Sequence, residues 1–476
     1  MRWAGLAAMG GLAGLGQAPF DLWWLSVMMI ACWLVWPATN RRAAFGTGWW
    51  FGVGYFAVSL RWIVSPFLVD IEATGWMAPF GLLAMAAGGA VFWGSARWLA
   101  YWLAPHSVFL IAVLLALAEA ERALVLTGFP WALIGHIWVD TPLAQLAAWG
   151  GPHFLSLVTV MLAWAIAMLF QRRWTAVAIP FVVTVLWWGI APPPIAITDG
   201  PVVRILQPNA PQSQKWDPAH APVFFDRLLE MTGKGPRPDL IVWPETSVPS
   251  LMEFAGSDLA QVADAAGGAP VVLGINRRVG LRYYNAALVV ERGAVVSSVY
   301  DKTHIVPFGE FIPGGDLLAR FGITGFAASQ GQTFSAGGAA DTMNIPAIGP
   351  ARVLICYEGI FAEEVNTGTR PRLLLLITND AWFGALAGPS QHLAQARLRA
   401  IEQGLPMARS ANTGISAMID PYGRILARTQ MNETGALDVV LPKALQATPY
   451  SRWGDLPALA MILLLGGLVA LYRRPI

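Results

Sequence analysis

The sequence predicts a polytopic α-helical membrane bundle of eight spans joined to an α/β domain. Three observations carry that expectation. Hydrophobic residues make up 56% of the 476 and charged residues only 13%, against about 25% charged in an average soluble domain. The charge is unevenly placed, with residues 1–199 holding eight of the 31 Lys and Arg and seven of the 29 Asp and Glu. Apolar stretches of span length crowd the first part, and short β-branched runs crowd the second. Disorder, coiled coil and an ordinary cytosolic enzyme fit this composition poorly. A formal net charge of +2 suggests no nucleic-acid partner.

A bilayer crossing needs about 20 mostly apolar residues. Seven candidates precede residue 200: 3–19, 22–38, 45–66, 76–101, 106–124, 153–171 and 174–192. An eighth, 455–472, follows the polar part. The first resembles a signal peptide, since Arg2 precedes a small-residue apolar stretch. The second run begins almost at once, however, and no clear small-x-small cleavage site precedes Pro19, so the first reads as a retained anchor. Basic residues in short loops mark the cytoplasmic side. With Arg2 inside, the pairs Arg41–Arg42, Arg172–Arg173 and Arg473–Arg474 all fall inside as well. Asp70, Glu72, Glu119 and Glu121 fall outside or near outer ends, and both termini are cytoplasmic. The segment between the seventh and eighth spans then lies on the far side of a bacterial inner membrane, in the periplasm. One miscounted span would reverse it.

The stretch 125–150 is apolar but broken by Gly128, Pro130, Gly135 and Gly150, and it carries Trp131, Trp138 and Trp149. It reads as an outer-face interfacial or re-entrant segment. Most of the 23 Trp are expected to face lipid or the interface. Arg61 and Arg97, the ionisable residues deepest in the spans, are placeable near span ends.

Between about 200 and 448 the pattern changes. Strand candidates are 202–206, 240–243, 270–275, 286–290, 296–300, 352–356, 373–378 and 416–420, with helical patterns at 220–232, 259–266 and 391–403. Leu373–Ile377 is continuously apolar, as suits a strand buried on both faces. Alternation of this kind predicts a layered α/β domain large enough to bury its own core. A Gly/Ala-rich loop lies near 325–341. The domain plan is therefore 1–195, 200–448 and a C-terminal helix at 455–472.

Three strand ends carry chemistry. Leu240–Trp243 leads through Pro244 to Glu245; Tyr300 leads to Lys302 and, through a Pro-Phe-Gly turn, to Glu310; Val353–Ile355 leads to Cys356, Tyr357 and Glu358. Sites in α/β sheets collect at such ends. A carboxylate can take a thiol proton, the thiolate is the reactive form, and an ammonium can hold charge on a carbonyl oxygen. Each residue alone has a plain reading. A lone Cys is usually a small buried hydrophobe, a Glu after Trp-Pro a turn residue, and a Lys a solvated charge. Only the combination is specific. The other cysteine, Cys32, lies in an apolar run, so a disulfide framework is unlikely. The six His show no ligand spacing, so no metal is expected, and no phosphate-binding Gly-rich loop is visible. His304 stands two residues from Lys302 and reads equally well as a solvated or capping residue.

Glu245, Lys302 and Cys356, spaced 57 and 54 residues apart, resemble the Glu–Lys–Cys triad of the nitrilase (carbon–nitrogen hydrolase) superfamily. The flanking spans make the chain resemble the membrane-anchored apolipoprotein N-acyltransferase family along essentially its whole length. Further matching pieces are Gln207-Pro-Asn209 with Lys215-Trp216, Tyr284-Asn285, Asn379–Gly384, and Arg409 with Asn412–Gly414. Ile305 and Thr246-Ser247 depart slightly from the pattern without touching the chemistry. The resemblance implies a nitrilase-like α-β-β-α sandwich and ping-pong acyl transfer through a thioester on Cys356. The implied donor is a phospholipid, phosphatidylethanolamine above all, attacked at its sn-1 ester; the acceptor is the α-amino group of a diacylglyceryl-modified apolipoprotein. It implies supporting roles for Glu310, Tyr357, Glu358 and Asn285, with Glu310 and Glu358 orienting Lys302 and aiding proton transfer. Trp216 and Trp382 are implied as lipid or loop contacts, ordinary packing being an equal reading. No cofactor is implied, and nothing demands more than a monomer. A membrane-bound amidase would have no need of eight spans, and a transporter or scaffold no need of an intact triad.

Overall fold

The computed structural model describes residues 2–173, 178–188, 192–193, 199–311, 333–338, 342–366 and 368–471. Most of the Gly/Ala-rich loop, the ends of the expected seventh span, and Arg473 and Arg474 lie outside the described residues. The chain divides into two compact units. One comprises Met1–Pro193, Phe383–Glu402 and Ala447–Ile476; the other comprises Pro194–Trp382 and Gln403–Gln446.

The first unit is helical. A helix stands at each of the eight expected places: Arg2–Gly14, Trp23–Leu34, Arg41–Ser59, Ala78–Leu103, Val108–Leu124, Ala147–Phe170, Ala178–Trp188 and Leu456–Leu471. Among the described residues two helical stretches, Ile71–Leu103 and Pro142–Phe170, are long and apolar enough to cross a membrane. A third is possible if Arg41–Ser59 and Arg61–Leu68, bent by 50°, form one span. Helices without a hydrophobic driving force between them pack through small residues. Arg2–Gly14 and Arg41–Ser59 do so: a Cβ on Gly10 would lie 1.8 Å from the Phe51 carbonyl oxygen, and one on Gly54 1.8 Å from that of Ala7.

Two expectations for this unit change. Trp33, Trp93, Trp131 and Trp138 are fully buried rather than lipid-facing. Each indole N–H finds an internal acceptor: Thr47 O, Glu119 Oε1, Gln391 Oε1 and Thr159 Oγ1, at 2.6–3.0 Å. Trp24, Trp76, Trp98, Trp102 and Trp149 are exposed, as anticipated. Arg97 is buried, and its guanidinium caps the end of the Trp23–Leu34 helix through the carbonyls of Leu34 and Trp36. The 125–150 segment folds into two short 3₁₀ turns, Ile134–Trp138 and Pro142–Leu146, the first wholly buried.

The second unit holds two six-stranded sheets. The first has the order β12-β1-β2-β3-β4-β5: β1 Val202–Gln207, β2 Leu240–Val242, β3 Val271–Val279, β4 Arg282–Glu291, β5 Val295–Asp301 and, returning to the edge, β12 Gly435–Val440. The second has the order β11-β10-β9-β8-β7-β6: β6 Met343–Ile345, β7 Gly349–Ile355, β8 Leu373–Thr378, β9 Met407–Ala411, β10 Ala417–Ile419 and β11 Ile425–Arg428. The sheets pack β1 against β9 and β4 against β7, and Ser410 Oγ donates to the Leu206 carbonyl at 2.7 Å. Helices Ala221–Gly233 and Gly256–Ala265 cover the outer face of the first sheet, with Phe225, Leu228, Leu259 and Val262 against Ile241, Leu273 and Leu288. An α-β-β arrangement is thus complete within this unit. The Gly388–Gln403 helix, expected inside the 200–448 domain, groups with the first unit almost entirely. The reason is polar: Gln391 accepts from Trp131 and donates to the carbonyls of Ala18 and Ser59.

Candidate active site

The parallel strands β1, β2 and β3 end together, and so do β7, β8 and β9. Glu245 follows β2. The turn that carries it is confined by Gly274 of β3, where a Cβ would lie 2.5 Å from Thr246 N and 2.6 Å from Glu245 Cα. Thr246 itself sits at φ +45°, an unusual conformation for a β-branched residue. Cys356 follows β7 directly at φ +51°, so the chain turns sharply at the thiol. Lys302 ends β5, its N–H bonded to the Asn285 carbonyl of β4 at 2.8 Å.

The structure brings Glu245, Lys302, Cys356, Asn285 and Glu310 together. Lys302 is 1% exposed; its Nζ donates to Glu310 Oε1 at 2.9 Å and stands 4.0 Å from Glu245 Oε1. Asn285 Nδ2 donates to Glu245 Oε1 at 2.6 Å and to Glu310 Oε1 at 3.4 Å. Glu245 Oε2 accepts the Asn379 N–H at 2.7 Å. Glu310 Oε2 accepts the Val306 N–H at 2.7 Å, which closes the Pro-Phe-Gly turn on itself.

The electrostatics follow from these contacts. Burial alone would lower the Lys302 ammonium, but the Glu310 and Glu245 carboxylates outweigh it and hold it above the ordinary lysine range. Burial pushes the Cys356 thiol well up, and the Glu245 charge adds to this. Lys302 and a hydrogen bond with the Thr378 side chain oppose the rise without cancelling it. The resting sulfur is therefore a neutral thiol, and a nucleophile here needs a base to take its proton.

Glu358 stands apart from Lys302 Nζ. Its Oε1 accepts from Tyr300 Oη, Thr303 N, Thr303 Oγ1 and His304 N at 2.6–3.2 Å, and its Oε2 accepts from Ile355 N at 2.7 Å. It joins the main chain beside Lys302 to the main chain before Cys356. Tyr357 is buried, its ring against His304 and Phe361. Trp216 is partly exposed, lies under the Lys215 ammonium, and lines a cavity with Lys215, Glu245, Pro208 and Phe224. Trp382 is half-buried in the Asp380–Phe383 turn and is not among the residues lining that cavity. His304 pairs with Glu364 and stacks on Phe361. Cys32 is half-buried in the Trp23–Leu34 helix of the other unit. No group of His, Cys, Asp and Glu suited to a metal occurs among the described residues.

Sequence reasoning left several supports out. Asn379 is held by Asn412 Nδ2, which donates to its Oδ1 at 2.8 Å. Asp380 forms a fully buried ion pair with Arg409 and accepts from Thr378 Oγ1. Lys215 is buried beneath the Glu245 turn. All five stood in motif pieces the sequence already displayed, Lys215 beside Trp216; what the local pattern did not show is that Lys215 is buried.

Residues 9–165 match the family model for the apolipoprotein N-acyltransferase N-terminal domain, and residues 212–450 match that for carbon-nitrogen hydrolase. The Rhodopseudomonas palustris apolipoprotein N-acyltransferase is 36% identical, over 98% of this chain and 94% of its own length. The Brucella melitensis protein of the same name is 35% identical, over 94% of this chain and 90% of its own. Among solved structures, an amidase of the nitrilase superfamily from Nesterenkonia aligns with 56% of this chain and 96% of its own, at 18% identity and a TM-score of 0.39. Sustained from the first helices to the last strands, identity at the level of the two bacterial relatives means that this chain belongs to the apolipoprotein N-acyltransferase family.

Proposed function

We propose that this chain transfers an acyl chain from the sn-1 position of a phospholipid, phosphatidylethanolamine above all, to the N-terminal amine of a diacylglyceryl-cysteine apolipoprotein. The observation that carries the reading is the buried meeting of one carboxylate, one ammonium and one neutral thiol at three strand ends. Glu245 takes the Cys356 proton. The thiolate attacks the ester carbonyl, and Lys302 holds the negative charge that develops on its oxygen. The carbonyl re-forms, the lysophospholipid leaves with a proton, and a thioester remains on Cys356. The acceptor amine attacks that thioester, loses a proton to Glu245, and the amide product departs as the thiol returns. A thioester is reactive enough toward an amine to need no nucleotide.

In this reading Glu310 orients Lys302, and Asn285 orients Glu245. Glu358 and Tyr357 hold the turn around Cys356, and Trp216 and Trp382 are lipid or loop contacts. The eight spans expected from the sequence cross a bacterial inner membrane, both termini are cytoplasmic, and the sheets lie in the periplasm. The matched basic pairs support that orientation. The enzyme works as a monomer.

Intact mass spectrometry of the protein mixed with phospholipid and no acceptor tests the chemistry, beside Cys356→Ala. One added acyl chain on the wild type alone, discharged by a diacylglyceryl-cysteine peptide, is the expected result. An adduct lost equally fast without acceptor would make water the nucleophile and the chain a hydrolase. A folded protein that forms no adduct with any phospholipid would sink the reading.

A further inference from the structure

One buried cation near the site has no part in the steps above. Lys215, on the loop between β1 and the Ala221–Gly233 helix, is 7% exposed. Lysine is almost never fully buried unless paired, yet Lys215 makes no ion pair among the described residues. Its Nζ donates instead to the Glu245 main-chain oxygen at 3.0 Å and to Thr246 Oγ1 at 2.8 Å. Those two acceptors flank the peptide that enters the left-handed residue Thr246. From β3, Gly274 presses on the same peptide, with its N–H on Pro244 O at 3.2 Å and its carbonyl taking Ser247 N at 2.8 Å. The Glu245 main chain is therefore gripped by a backbone that only glycine can provide and by a buried ammonium.

We propose that Lys215 is a positioning residue for Glu245: it fixes the strained turn so that the carboxylate stays aimed at the Cys356 thiol. On a loose turn the carboxylate, which already accepts from Asn285 and stands 4.0 Å from Lys302 Nζ, would lose its fixed approach to the thiol and leave the thiol proton in place. Burial lowers Lys215 to about 8, with the Glu245 and Cys356 charges opposing the fall. The neutral amine still carries two N–H donors for its two acceptors, so the grip survives loss of the charge. The proposal rests on the reading of Glu245 as the base.

The test reads the thiol directly and needs no lipid. In detergent-solubilised full-length protein carrying Cys32→Ser, the rate of Cys356 alkylation by iodoacetamide is followed against pH. Lys215→Met is expected to slow alkylation about 10²-fold at neutral pH, at the weak end of what a positioned proton acceptor supplies. Its profile should move to higher pH, because the thiol must then ionise unaided. Thr246→Val keeps the cation and removes one of its two anchors, and should move the profile the same way by less. It also covers the case in which Lys215→Met does not fold. A wild-type profile for folded Lys215→Met overturns the proposal. A wild-type profile for Thr246→Val reduces Lys215 to a nearby charge and overturns the grip. A parent whose Cys356 alkylates no faster than an unassisted thiol removes Glu245 as base, and with it both readings; a normal parent with unaffected variants removes only this one.

Discussion

Two buried ion pairs in this chain are built from the same kinds of group to opposite ends. In the helical unit, Glu119 and Arg122 meet at 3.2 Å, and four donors close on the carboxylate: Trp93 Nε1, Arg122 Nε and Nη2, and Ile134 N. In the sheet unit, Glu245 and Lys302 are held 4.0 Å apart, and Glu245 takes two hydrogen bonds, from Asn285 and Asn379. A buried carboxylate with its lone pairs spent is a structural strut. One held by two donors, with a cation kept just out of contact, retains capacity for a proton. The sequence places both pairs among apolar neighbours; only the count of donors tells the strut from the group proposed as the base.

That contrast breaks in graded ways. The largest effect belongs to Cys356→Ala, which should abolish acyl transfer in a phospholipid-to-peptide assay while the protein stays folded; Cys32→Ser should be silent. Glu119→Ala should act on stability, leaving Arg122 buried without its partner. Such a loss costs about 3–5 kcal/mol, read as a lower thermal midpoint in detergent, with the activity per folded molecule retained. Lys302→Met should cut turnover per folded molecule by about 10²–10³-fold, as loss of one oxyanion donor does, and should also lower the midpoint, since Glu310 and Glu245 are left without their cation. Gly274→Ala should sit between the two kinds. Its Cβ meets Thr246 N at 2.5 Å, so the turn must shift, and the overpacking costs about 1–3 kcal/mol. Activity should fall about 10²-fold beyond that loss, the low end of the proton-transfer share expected of a base.

The smallest effect is a pH trend. Lys215 is held near 8, below its ordinary value of 10.5. Between those values the unfolded chain binds a proton that the folded one has released, so this residue makes stability rise with pH there. From pH 8 to 9.5 the wild type should gain about 1–2 kcal/mol relative to Lys215→Met. A difference between the two proteins that stays flat over that range would mean the ammonium keeps its proton.

Much of the site was legible because its residues end recognisable strands. Glu245, Lys302 and Cys356 each follow an apolar run, and β8 Leu373–Thr378 was readable to the residue. Strands β6, β9, β11 and β12 were not. β9 reads Met-Ala-Arg-Ser-Ala, with no β-branched residue, and owes its existence to β8 on one side and β10 on the other. β12 alternates between half-buried and exposed positions as an edge strand and carries Asp438 for Arg204. Lys215 stood in a recognised motif, but its burial was illegible for a different reason. Its role depends on a main-chain oxygen 30 residues away, and main-chain partners leave no mark on side-chain pattern. The Gly388–Gln403 helix was found, but its allegiance was not, since Gln391 is polar and reads as solvent-facing until Trp131 is beside it.

Glu358 has a bearing on anyone who would transplant this chemistry. Its two oxygens tie Thr303 N and Ile355 N, residues adjacent to the ammonium and to the thiol, so two strands of different sheets share one fastener. Grafting Glu245, Lys302 and Cys356 onto another scaffold at correct Cα positions would import the proposed reagents without the part that keeps them in register. A designer who copies four residues rather than three, with Glu358 as the fourth, copies the tolerance of the site as well as its contents.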